Sequence, residues 1–135
     1  MKIAAQTFRK GERLCSKKLI AELFNNGRSF YYYPFQVIWI RTSAGIPFPA
    51  QVAVSVSKRS FKKAVDRNTI RRRIKEAWRK NKHILYEFLE KRETRVVFII
   101  IYKEQQIEDY SQIEKNIIGA TRKLISEITS KEPQC

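Results

Sequence analysis

The residues best equipped for chemistry lie between Ser57 and Lys82, where twelve lysines and arginines stand against only Asp66 and Glu76. Ammonium and guanidinium groups are donors without acceptors, and the ligand that answers a row of them is a chain of phosphates. Projected at 100° per residue, Ile70, Ile74, Ala77 and Trp78 form an apolar stripe, while Asn68, Arg71, Arg72, Lys75 and Arg79 fall on the other side. Arg67, Arg71, Lys75 and Arg79 recur every fourth residue, so like charges stack in one row and repel by about a few tenths of a kcal/mol per pair. A short basic run is ordinarily a solvated helix face laced with acidic partners; here those partners are scarce, and a phosphate chain along the row would relieve the repulsion. A membrane-surface helix needs a broad exposed apolar face, whereas the Ile70/Ile74/Trp78 stripe is narrow and required by the core.

Self-contained catalysis finds little support in the sequence. Metal-dependent nucleases need carboxylates converging on divalent ions, and Asp66 and Glu76 are ten residues apart and flanked by arginines. Asp66 reads as a local cap or ion-pair partner, and no Gly-rich phosphate loop, nucleophile elbow or His/Cys pair is present. His83, the one histidine, reads as a helix-end surface residue. Neither catalytic residues nor metal ligands are expected in the chain. Aromatic residues supply the other half of a nucleic-acid signal, because unpaired bases stack on them. Phe30, Tyr31, Tyr32, Tyr33 and Phe35 surround Pro34, and Tyr31 to Tyr33 cannot all point inward.

The elements that must position these groups follow from periodicity. Ser16 is a candidate N-cap for a helix carrying Leu19, Ile20, Leu23 and Phe24, with Gly27 as its stop. Phe30 to Ile40 reads as one strand with Phe35, Val37 and Trp39 on one face and Gln36, Ile38 and Ile40 on the other. After a loop from Ser43 to Pro49, Gln51 to Ser57 sets Val52, Val54 and Val56 against Ala53, Ser55 and Ser57, leaving a small-residue face open to something else. The basic helix comes next, then Val96 to Tyr102 as a strand buried on both faces. Ser111-Gln112-Ile113-Glu114 reads as a capping box for a last helix with Ile113, Ile117, Ala120, Leu124 and Ile128 inward. The expected fold is α+β, a two-layer sandwich of one mixed sheet of about four strands with three helices in the order α-β-β-α-β-α.

Composition agrees with this picture. The 135 residues carry 28 basic and 13 acidic side chains, a net charge of +15, with 43% hydrophobic and 12% aromatic residues. One domain over residues 1–135 is expected, its ends at 1–6 and 130–135 frayed. Ten of the fifteen net charges fall in the basic stretch, whereas Glu104 onward has four basic and six acidic residues. The longest apolar run, Val96 to Tyr102, is too short for a membrane span. Cys15 and Cys135 make a poor disulfide framework and read as reduced thiols in a cytoplasmic protein. The self-repulsion of +15 charges is relieved by a polyanion, so nucleic acid is the expected partner class.

At this point the residues resemble a family. Ala64-Val65-Asp66-Arg67-Asn68-Thr69-Ile70-Arg71-Arg72-Arg73-Ile74-Lys75-Glu76 is similar to the signature helix of the bacterial ribonuclease P protein component, whose pattern runs Ala-Val-x-Arg-Asn-Arg-x-Lys-Arg-x-x-Arg-Glu. Val54-Ser55-Val56-Ser57-Lys58-Arg59 resembles that family's Val-Ser-Lys-Lys strand end, and Arg13-Leu14, Phe24, Gly27 and the final strand and helix extend the likeness over nearly the whole chain. The chain departs from the pattern at Thr69, where the family has a third arginine, at the basic swaps Arg71 and Lys75, and between Ser57 and Ala64, which is one residue longer, with Lys62 or Lys63 near the usual glycine. Thr69 projects to the flank of the helix, so the resemblance implies one RNA contact either lost or taken over by Arg73.

The resemblance implies a subunit of a ribonucleoprotein endonuclease that removes the 5′ leader of precursor tRNA. Its RNA subunit would carry the chemistry through bound Mg²⁺, the protein alone being inactive. Carried over by position, Lys58, Arg59, Arg67, Asn68, Arg71, Arg72, Lys75 and Arg79 would face the catalytic RNA. A cleft lined by Ile20, Phe24, Ile38, Ser55 and Ser57 would hold the single-stranded leader. The implied partners are the catalytic RNA and precursor tRNA, with no membrane and no obligate protein partner, and the implied sandwich includes a left-handed crossover. The rival reading is a ribosomal or other structural-RNA-binding protein with no part in cleavage. A DNA-binding helix is weaker, since only Asn68 and Arg72 suit the reading of base edges in a major groove.

Overall fold

The computed structural model describes residues 8–130, so the segments 1–6 and 131–135 of the expected frayed ends, Cys135 included, lie outside the described residues. Cys15 is an exposed free thiol. The first helix, α1 (Lys17–Asn26), begins where the Ser16 hydroxyl accepts the Leu19 N–H at 3.2 Å. Gly27 ends it for a different reason than a left-handed turn: its φ is −71°, and a Cβ there would lie 2.2 Å from the Leu23 carbonyl oxygen and 2.9 Å from the Ile38 side chain. A side chain at this point would push the end of α1 off the sheet.

The stretch expected as one strand is a hairpin. β1 (Arg28–Tyr32) and β2 (Phe35–Arg41) pair antiparallel around Tyr33-Pro34, which is joined by a cis peptide bond. Pro34 has no N–H to give to a ladder, which is why the chain turns there. β3 (Ala50–Val56) and β4 (Val96–Tyr102) complete a mixed sheet in the order β1-β2-β4-β3, with β4 antiparallel to β2 and parallel to β3. As its unbroken apolar run requires, β4 is central and covered on both faces.

Parallel neighbours need a crossover, and it consists of two helices, α2 (Ala64–Asn81) and α3 (His83–Lys91). The last helix is α4 (Tyr110–Ser130), capped by Asp109, whose Oδ1 accepts the Gln112 N–H at 2.9 Å, and not by Ser111. The order is therefore α-β-β-β-α-α-β-α, with four helices where three were expected. The extra helix, α3, escapes a reading based on runs because only Leu85, Tyr86 and Leu89 of its nine residues are buried and no polar linker separates it from α2.

α2, α3 and α4 cover one face of the sheet over a core that includes Trp39, Trp78, Phe98 and Tyr102. Trp78 stands edge-on to Phe98 with ring centres 5.3 Å apart. α1 packs on the opposite face, over Ile38, Ile40, Val97 and Ile99. A third layer thus covers part of the expected two-layer sandwich, because Leu19, Ile20 and Leu23 need an apolar surface of their own. No helix among the described residues is long and apolar enough to cross a membrane.

Candidate nucleic-acid interface

α2 lies with Ile70, Ile74, Ala77 and Trp78 buried, and its outer face is the cationic one that the periodicity predicts. Asn68, Arg72 and Lys75 are exposed on that face; Arg67, Arg71 and Arg79 are half-buried because each is held by a neighbour. The Arg67 guanidinium donates to the carbonyls of Phe61 at 2.8 Å and Lys62 at 3.0 Å, fastening the segment before α2 onto the helix. Arg71 donates to Asn68 Oδ1. Arg79 grips Glu76 through two N–H groups at 2.6 and 2.7 Å, and this pairing, three residues apart, replaces part of the like-charge repulsion expected along the row. The same contact holds the Glu76 carboxyl below its usual pKa. Lys58 and Arg59 are exposed in the turn that follows β3.

Two basic residues of the stretch make long-range contacts. Arg73, which lines the groove described below, donates to the Glu108 carbonyl at 2.6 Å and ties α2 to the loop before α4. Thr69 turns its own hydroxyl back onto the Val65 carbonyl at 2.9 Å. Lys82, which the composition places with the basic stretch, is buried, and its ammonium donates to Glu12 Oε1. Glu12 is itself fully buried; it accepts the Tyr86 hydroxyl at 2.6 Å and the Arg9 N–H at 2.7 Å. Burial first, and then the Glu12 hydrogen bond, raise the Tyr86 phenol far above its usual pKa, so it remains a donor. This clasp holds the segment 9–12 against the α2–α3 junction, with Arg13 bridged to Val52 of β3. As a result Phe8 comes beside the basic face. Phe8 and Tyr110 border a groove of about 710 Å³ over Asn68, Arg72, Lys75 and Arg79. Sequence reasoning missed Phe8, Tyr110 and Glu76 here; nothing in a linear pattern signals them.

On the reverse side of the sheet, α1 leaves one end uncovered. The register sets Tyr31, Gln36, Ile101 and Ser55 in one row across all four strands, on the face that also carries Ile38 and Ile99. Phe24 projects from α1 with 56% of its surface exposed, which removes it from the core. Ile20 and Ile38 are half-buried beside it in one apolar cluster, Ser55 is half-buried on β3, and Ser57 is exposed just beyond. Tyr31, at 54% exposure, joins this surface as an aromatic that the sequence pattern does not place in the cleft. Ser57 leads directly into Lys58 and Arg59, in the segment that joins β3 to α2.

Asp66 and Glu76 remain apart, and no group of three or more His, Cys, Asp or Glu among the described residues is gathered to hold a metal ion.

Residues 8–125 match the family model described as ribonuclease P. A curated relative from Porphyromonas gingivalis, the "Ribonuclease P protein component", is 31% identical over 106 residues, covering 78% of this chain and 77% of the relative. The chain belongs to the ribonuclease P protein component family. Another relative of that name, from Petrotoga mobilis, is 33% identical over 124 residues, covering 88% of this chain and 96% of its own length. Among solved structures, the ribonuclease P protein from Thermotoga maritima superposes with a TM-score of 0.66 at 18% identity, covering 83% of this chain and 96% of that one. At that identity the likeness speaks for the fold, a ribonuclease P protein sandwich with its sheet and helices in the same order.

Proposed function

We propose that this chain is the protein subunit of a cytoplasmic ribonuclease P, binding the catalytic RNA through α2 and the 5′ leader of precursor tRNA in the cleft between α1 and the sheet. The observation that carries the reading is the pair of surfaces. A cationic helix face with Arg72 and Lys75 exposed lies on one side of the sheet, and a partly apolar row with the exposed ring of Phe24 lies on the other. Phosphates answer the first surface and unpaired bases the second, so a single-stranded leader can cross the sheet and continue toward an RNA held on α2. Lys58 and Arg59, exposed in the segment that joins β3 to α2, neutralise the backbone on the way. The RNA subunit holds Mg²⁺ and performs the hydrolysis; the protein binds and orients. Adding the protein to ribonuclease P RNA at low Mg²⁺ should restore removal of the leader, whereas a structural-RNA-binding protein would leave the RNA inactive.

Two further outcomes follow from this division of labour. Purified protein free of RNA should leave precursor tRNA intact through a long incubation, and cleavage at the mature 5′ end by such a preparation would refute the reading. Affinity for the RNA subunit should fall steeply with salt. About five helix cations on phosphates give a slope of roughly −4 in log K against log salt, and a slope near −1 would mean that α2 is not the contact surface.

A further inference from the structure

The groove over α2 has features that a track for phosphates alone does not need. Tyr110, the first residue of α4, stands at its border, and Glu76 lies within it, its carboxyl pKa lowered by Arg79. With both oxygens of Glu76 held by Arg79, the pair carries no net charge to draw a phosphate as Arg72 and Lys75 do. A nucleobase needs no such charge. It carries no charge, its N–H edge is a donor for a carboxylate oxygen, and its face stacks on a phenol ring. About 710 Å³ is ample for one nucleotide, within the range of small-ligand pockets. Arg71 and Arg73 also line the groove, Arg71 donating to Asn68 and Arg73 to the Glu108 carbonyl. The Lys80 ammonium lies over the Tyr110 ring, 5.6 Å from its centre.

Resting on the reading of α2 as the surface for the RNA subunit, we propose that this groove receives one unpaired nucleobase of that RNA. The base stacks on Tyr110 and offers its N–H edge to Glu76, while the flanking phosphates lie on Arg72 and Lys75. Phe8 lines the same groove. Recognition at this face then depends on an unpaired position in the RNA, which a duplex of equal charge does not supply.

The test uses full-length protein and the transcribed ribonuclease P RNA of Porphyromonas gingivalis, with affinity and base-by-base chemical reactivity measured for three variants. Tyr110→Leu keeps apolar bulk and removes the ring, Tyr110→Phe keeps the ring, and Arg72→Ala removes a phosphate contact. Tyr110→Leu should weaken binding about ten-fold with an unchanged salt slope, and one unpaired base protected by the parent and by Tyr110→Phe should become reactive. If Tyr110→Leu binds as tightly as the parent, or leaves the protection pattern unchanged, while Arg72→Ala weakens binding, the base site is wrong and the RNA-binding face stands. If Arg72→Ala also leaves affinity unchanged, the assignment of α2 to the RNA subunit fails.

Discussion

Glu12→Gln is expected to remove about 3 to 5 kcal/mol of folding stability, the cost of breaking a buried ion pair by neutralising one partner. Lys82 is buried and donates to Glu12, and the amide that replaces the carboxylate keeps the shape of the side chain but not its charge. For a chain of this length that destabilisation corresponds to a fall of roughly 10 °C or more in melting temperature. The paired substitution separates charge from packing. Glu12→Leu with Lys82→Met removes both charges together and should recover most of the stability, because two charges taken out of water repay their desolvation only in part. A Glu12→Gln protein that melts within about 2 °C of the parent would show that the Glu12 carboxylate is not what holds the buried ammonium in place. The effect should also reach the interface: loosening segment 9–12 releases Phe8 from the groove, so RNA-subunit affinity should fall in Glu12→Gln even at temperatures where the protein is folded.

Phe24→Ala should divide precursor from mature tRNA. With Phe24 exposed on α1, its ring offers a face to bases, and stacking is worth about 1 to 3 kcal/mol per base. In the holoenzyme, affinity for precursor tRNA should drop by about 5- to 150-fold, while mature tRNA, which has no leader, binds as before. Truncating a buried phenylalanine costs about 3 to 5 kcal/mol, but a ring 56% exposed is not a core residue, so the melting temperature should hardly move. Arg72→Ala provides the contrast, weakening assembly with the RNA subunit whatever the substrate. Equal binding of precursor and mature tRNA by the parent holoenzyme, or unchanged discrimination in Phe24→Ala, would place the leader elsewhere.

Much of this molecule is legible in the chain because period and charge are local properties. Ile70, Ile74, Ala77 and Trp78 recur at helical spacing among arginines, so α2 and its cationic outer face follow from the chain alone. The same holds for the valines of β3, the doubly covered β4 and the Ser16 cap of α1. The motif around Arg67 and Asn68 also points to the family that the comparisons bear out.

What only the tertiary structure decided depends on residues far apart in sequence. Pro34 turned one expected strand into a hairpin, since a missing N–H matters only once a neighbouring strand needs it. The side of the sheet taken by α1, and hence the exposure of Phe24, follows from which apolar face was left uncovered by α2, α3 and α4. Lys82 looks in the sequence like one more surface cation, and Glu12 seventy residues away draws it inward, because a buried charge is tolerated only with its partner. Arg73 and Tyr110 acquire their roles in the same way, from a carbonyl and a groove that exist only after α4 has packed on α2. Charge pattern told where phosphates would be met, and long-range packing decided which of those charges remain available to meet them.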